Sequence, residues 1–149
     1  MAEPGKEASP GQCPADETHM TDAPSSVELA QSLIGYNTIS SGNERQALEP
    51  LARILSDAGF SVAFDAYDPS NPQRCSLFAR LRPESDMPAL CLCGHIDTVP
   101  LGAAQWRMPP FEGRIQNGLL YGRGSSDMKS GVAAMVCAAA QMARHIRGD

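Results

Sequence analysis

Two short stretches of this sequence carry side chains able to hold a cation or move a proton. The first, Cys93-Gly94-His95-Ile96-Asp97-Thr98, sets a histidine and a carboxylate two residues apart at the end of an apolar run. Side chains of an extended backbone repeat every two residues, so His95 and Asp97 emerge on one face. That geometry suits a metal ligand and a partner that orients it from behind. The second stretch, Gly122 to Gly131, frames Ser125-Ser126-Asp127-Met128-Lys129 with glycines ahead of an Ala-rich helix. Read as a phosphate-binding Walker loop it would need glycines where Arg123 and Met128 stand. Read as a dinucleotide fingerprint it places Asp127, an anion, at the third glycine position. What survives is a carboxylate held at the mouth of a helix, a position for a cation ligand.

Each residue alone has a plainer role. His95 can be a hydrogen-bonded histidine at a strand end, Asp97 a turn cap, and Asp127 an N-cap for the last helix. Trp106 reads as packing and Lys129 as a solvated helix start. Jointly, three polar groups at one expected edge point to chemistry.

The elements that must position them follow from periodicity. Pro24-Ser25-Ser26-Val27-Glu28 resembles a capping box opening a short helix, with Val27, Ala30, Leu33 and Ile34 at helical spacing before Gly35. A second helix is expected from Ser41 to Gly59 with an apolar stripe of Ala47, Leu48, Leu51, Ile54, Leu55 and Ala58, and Pro50 conflicts mildly with it. Phe60–Tyr67 and Ser76–Leu81 read as strands, joined by a turn at Asp68–Gln73, and Arg82–Pro88 as a polar turn. Ala89-Leu90-Cys91-Leu92-Cys93 reads as a central strand buried on both faces, with ligands expected in the crevice beyond its carboxyl end. After a Gly- and Pro-bearing loop over 98–110, Asn117-Gly118 is the strongest short hairpin signal. The last helix is expected from Ser130 to Ile146.

Composition limits the alternatives. The chain has 149 residues, a net charge of −5 and five cysteines. Its basic residues are scattered, which argues against a nucleic-acid partner. No apolar run approaches the ~20 residues that span a bilayer, so no membrane association and a cytoplasmic location are expected. Cys91, Cys93 and Cys137 fall at expected core positions, as reduced thiols packed like small hydrophobes, and the C-x-C spacing misses the C-x₂-C zinc pattern. Residues 1–24 have almost no large aliphatic side chain and read as a disordered tail, leaving 25–149 as one unit.

Gly94-His95-Ile96-Asp97-Thr98-Val99-Pro100, Trp106, Pro110-Phe111, Asn117 to Gly124 and Ser126-Asp127-Met128-Lys129-Ser130-Gly131 together resemble the M20 metallopeptidases, most of all the acetylornithine deacetylase and succinyl-diaminopimelate desuccinylase branch. The resemblance implies an α/β fold, the N-terminal portion of a zinc-peptidase-like catalytic domain with a mixed central sheet flanked by helices. It implies that His95 binds one metal, that Asp127 bridges two, and that Asp97 is the catalytic-site acid that orients His95 and raises its basicity. The metals, usually Zn²⁺ with Co²⁺ possible, would polarise an amide carbonyl and lower the pKa of water from ~15.7 toward ~7.

The implied activity is hydrolysis of an N-acyl amino acid, a small-molecule substrate of amino-acid biosynthesis. Acetylornithine deacetylation is the first expectation, with succinyl-diaminopimelate desuccinylation or di- and tripeptide cleavage as alternatives. The family's Glu-Glu pair, later ligands and smaller domain, often used to form a homodimer, have no counterpart in this sequence. The chain therefore reads as the truncated N-terminal part of a catalytic domain, inactive alone. A different class stays open, a non-catalytic fragment or interaction module.

Overall fold

The computed structural model describes residues 24–39, 44–81 and 88–147. The tail expected over 1–24, the turn at 82–88 and the helix start at 41–43 lie almost wholly outside them. Helix α1, Ser26–Gly35, begins at Ser25, whose extended backbone and hydroxyl close the expected capping box. Glu28 N donates to Ser25 Oγ at 3.2 Å and Ser25 N to Glu28 Oε2 at 2.8 Å, so two otherwise orphaned amides are satisfied reciprocally. Leu29, Ala30, Leu33 and Ile34 form its buried stripe, whereas Val27, expected inward, is half exposed. Two residues further along, on the opposite side of the helix, Leu29 is buried in the core.

Helix α2, Glu44–Asp57, carries Pro50 inside it and still buries Ala47, Leu48, Leu51 and Leu55, with Ala58 just beyond its end. Strands β1, Ser61–Ala66, and β2, Cys75–Arg80, pair antiparallel, with Val62 opposite Ala79 and Phe64 opposite Leu77. Asp68 shapes the turn between them by accepting from Ser70 N at 3.0 Å and Ser70 Oγ at 2.6 Å. Strands β3, Arg114–Gln116, and β4, Leu119–Tyr121, form the expected hairpin. Its turn needs positive φ at both central residues, and Asn117 (52°) and Gly118 (75°) supply it.

Helix α3, Ser130–Arg147, packs against α1 and α2. Val132, Ala133 and Val136 join Leu29, Leu33, Leu51 and Ile96 in one core. Alanines at 140 and 143 let α3 lie close over Ala58. The class is α/β, small sheets flanked by helices, and among the described residues both ladders are antiparallel.

The segment expected to be the central strand departs from that reading. Residues 88–100 form no strand, and Leu90 is 86% exposed. Cys91 and Cys93 are exposed free thiols, not core residues, and Cys137 is half-buried. An apolar run becomes a strand buried on both faces only between neighbouring strands, and among the described residues none pairs with it. No helix of the described residues is long and apolar enough to cross a membrane.

Candidate functional site

The segment after Cys93 is nevertheless held in place. Ile96 and Thr98 are buried while His95 and Asp97 are exposed, the alternation that an extended backbone dictates. Two hydrogen bonds anchor it to Thr38, three residues beyond α1: Thr38 Oγ1 donates to Ile96 O at 2.6 Å, and Thr98 N donates to Thr38 O at 3.1 Å. Gly94 lies directly on α3, where an added Cβ would stand 2.8 Å from Met135 Cε.

Asp127 arrives from the opposite side, on a kinked turn, Ser125–Lys129, that leads into α3. Asp127 (φ −132°, ψ 98°) and Met128 (φ −136°, ψ 31°) leave helical geometry there, and the peptide bond joining them is cis. Gly124, at φ 83°, admits the turn, and a Cβ on it would meet Thr98 Cγ2 at 2.8 Å and Lys129 Cδ at 3.1 Å. Inside the turn, Lys129 N donates to Gly124 O at 2.9 Å.

These two supports bring the three polar residues together. His95 Nε2 lies 3.0 Å from Asp127 Oδ1, and His95 Nδ1 lies 3.2 Å from the Asp97 carbonyl and 3.3 Å from Asp97 Oδ1. The group faces solvent, with the Asp127 side chain 86% exposed. Slight desolvation pulls the His95 imidazole down. The Asp97 carbonyl, the Asp127 carboxylate and both negative charges outweigh it and raise the pKa above the ordinary histidine value. With acceptors on both ring nitrogens the imidazolium is favoured. Once the Nδ1 proton is held by Asp97, the Nε2 lone pair is the one free to meet a cation. His95 Nε2 and Asp127 Oδ1 are a nitrogen and a carboxylate oxygen close enough together that the two could hold one cation.

Lys129 is not the solvated helix start that its neighbours suggest. It is fully buried, and its ammonium donates to Leu33 O at 2.9 Å and Tyr36 O at 2.7 Å. No local pattern announces this, because the acceptors lie 96 and 93 residues earlier. Thr38 was equally silent in the sequence. Trp106 is partly exposed; its indole donates to Leu101 O at 3.2 Å, and the Arg123 guanidinium lies 5.0 Å over its ring. Arg123 also donates to Pro100 O at 3.0 Å, tying the loop after Asp97 to the strand that leads to Asp127.

The family model described as Peptidase family M20/M25/M40 matches residues 91–149, the stretch that contains His95, Asp97 and Asp127. Similarity extends further toward the N-terminus, to a curated succinyl-diaminopimelate desuccinylase of Methylobacterium radiotolerans, 40% identical over 126 residues. The chain belongs to the M20 peptidase family. That alignment takes in 84% of this M20 chain and 31% of the relative. Proteins of the same name from Caulobacter sp. (40% over 125 residues) and Ehrlichia chaffeensis (36% over 117 residues) are similar in the same way, each with 30% of its length covered. This M20 chain thus spans about a third of the length of the curated relatives it matches.

Proposed function

We propose that this chain carries part of the metal site of a hydrolase that cleaves the amide of succinyl-diaminopimelate, releasing succinate and a free amine. The observation that carries the metal site is the His95–Asp127 contact at 3.0 Å with Asp97 behind the ring. An imidazole nitrogen and a carboxylate oxygen are a donor pair that suits Zn²⁺ or Co²⁺, so the residues present fit such an ion. They do not close its shell. Among the described residues no group of three or more His, Cys, Asp or Glu could hold a metal. Divalent cations bound there would supply Lewis acidity toward a carbonyl and acidify water. His95 offers its Nε2 lone pair, Asp127 offers charge that neutralises the cations, and Asp97 keeps the Nδ1 proton and the ring orientation.

The relatives' names favour desuccinylation over the acetylornithine deacetylation that the sequence suggested first, since all three proteins named above are desuccinylases. In this reading the complete gene product works on a small N-acyl amino acid in the cytoplasm, and its oligomeric state would be that of a homodimer. The test is hydrolysis of succinyl-diaminopimelate beside N-acetylornithine by the complete gene product loaded with Zn²⁺ or Co²⁺, with metal content measured in parallel. Preference for the succinyl substrate is expected. His95→Ala and Asp127→Ala should lose metal and turnover together, while Asp97→Asn should keep much of the metal, with affinity lower by about 10- to 100-fold. Wild-type turnover in Asp127→Ala would reject the assignment.

A further inference from the structure

The two halves of the candidate site come from segments 32 residues apart, and both are fastened to the same short piece of backbone. Thr38 grips the His95 segment through Ile96 O and Thr98 N. Lys129, two residues after Asp127, grips Leu33 O and Tyr36 O. Between these grips Thr98 and Lys129 close on Gly124 from two sides. Thr38 and Lys129 are both fully buried, and the metal-site reading gives neither a role.

We propose that the last turn of α1 and the residues just after it, Leu33 to Thr38, form the brace that sets the separation between His95 and Asp127, and that Thr38 and Lys129 are positioning residues for that site. The proposal rests on the metal-site reading for what the positioning serves. Its geometry stands without it.

His95 and Asp127 are exposed side chains with little packing of their own. Their relative position is therefore inherited from their backbones, and each segment is pinned next to a ligand position by a hydrogen bond to the stretch Leu33 to Thr38. The acceptor of the Thr38 hydroxyl, Ile96 O, sits one residue from both His95 and Asp97 along the chain. Losing either grip frees one donor relative to the other. Helix α2 and the β1–β2 ladder, which lie outside these hydrogen bonds, should stay as they are.

Thr38→Val keeps the shape and removes the donor, while Thr38→Ser keeps the donor. Lys129→Met removes both bonds on the Asp127 side. The full chain labelled with ¹⁵N in its three histidines reports the hydrogen bonding of the His95 ring nitrogens, with His95→Gln identifying its signals. Amide signals of β1 and β2 report the fold. Thr38→Val should move the His95 Nε2 resonance toward that of a free imidazole and weaken Zn²⁺ binding by about 10-fold, with β1–β2 unchanged. Thr38→Ser should restore both readouts. Lys129→Met should shift His95 in the same direction, and if it fails to fold the Thr38 pair decides alone. Wild-type His95 signals and Zn²⁺ affinity in Thr38→Val would overturn the brace, as would an equal loss in Thr38→Ser. A wild-type chain that takes up no Zn²⁺, beside a Thr38→Val chain whose His95 ring is still released, would remove the metal reading and keep the brace.

Discussion

Gly124 and Gly118 provide a matched pair for testing how tightly the site is closed. Both have positive φ, 83° and 75°, so replacing either with alanine forces a side chain into the left-handed region at a cost of about 1–2 kcal/mol. Any gain from a less flexible unfolded chain is the same for both and cancels in their difference. The surroundings are not the same. A Cβ at Gly118 meets nothing within 4 Å, whereas one at Gly124 stands 2.8 Å from Thr98 Cγ2 and 3.1 Å from Lys129 Cδ. Neither neighbour can yield easily, since Thr98 and Lys129 are buried, Thr98 is bonded to Thr38, and Lys129 to the end of α1. Overpacking of this kind costs about 1–3 kcal/mol. Gly124→Ala should therefore be less stable than Gly118→Ala by about 1–3 kcal/mol, measured as a shift in urea midpoint followed by far-ultraviolet circular dichroism at constant slope. A difference below about 0.5 kcal/mol would show that the Asp127 turn does not close on Thr98 as described, and with it the argument for a fixed His95–Asp127 separation would fall.

The His95 pKa, raised by its two aspartates, should fall in Asp97→Asn, read by proton NMR titration of the ring; an unchanged midpoint would mean that Asp97 does not face the imidazole. Because the folded-state pKa is raised, the stabilisation from these contacts is fully present below the unfolded value of ~6.5 and lost as pH rises through the folded value. His95→Gln should therefore be destabilising at pH 5.5 and nearly neutral well above the folded pKa. Burial pulls the Lys129 pKa down to about 8, so between about 8 and the unfolded value near 10.4 the unfolded chain binds more protons and stability should rise with pH. Lys129→Met should abolish that rise, as pH-dependent urea midpoints would reveal. The 149-residue chain alone, given Zn²⁺ or Co²⁺, should show negligible amidase turnover on succinyl-diaminopimelate, and activity that survives repurification would contradict the view that its donors leave the metal shell open.

Signals that were local in the sequence translated directly into structure. The Ser25–Glu28 capping box, the Asn117-Gly118 turn and the stripe of α2 each depend on residues within a few positions of one another, and each formed where it was expected among the described residues. The same-face placement of His95 and Asp97 was legible for that reason too, because a period of two is a backbone property. The apolar run Ala89–Cys93 was misleading. Its residue types specify what a strand would need around it and say nothing of whether those neighbours are present, so Leu90 and both thiols stand exposed. Lys129 and Thr38 fail in the opposite sense: polar residues in polar-looking contexts, buried because carbonyls and amides 58 to 96 residues away accept or supply their hydrogen bonds.

The cap that Lys129 places on α1 also bears on when that helix can be finished. A ten-residue helix lies below the ~12–15 residues at which isolated helices become even marginal in water. Its N-terminus is satisfied from within by Ser25 and Glu28, but the Tyr36 carbonyl and the second bond to Leu33 O, which also accepts from Tyr36 N, wait for a lysine made 93 and 96 residues later. At synthesis rates of about 5–20 residues per second, that wait is roughly 5–20 s on the ribosome. The arrival that completes the capping of α1 is the same one that delivers Asp127 to His95, so the first described helix and the candidate site are expected to mature in a single late step.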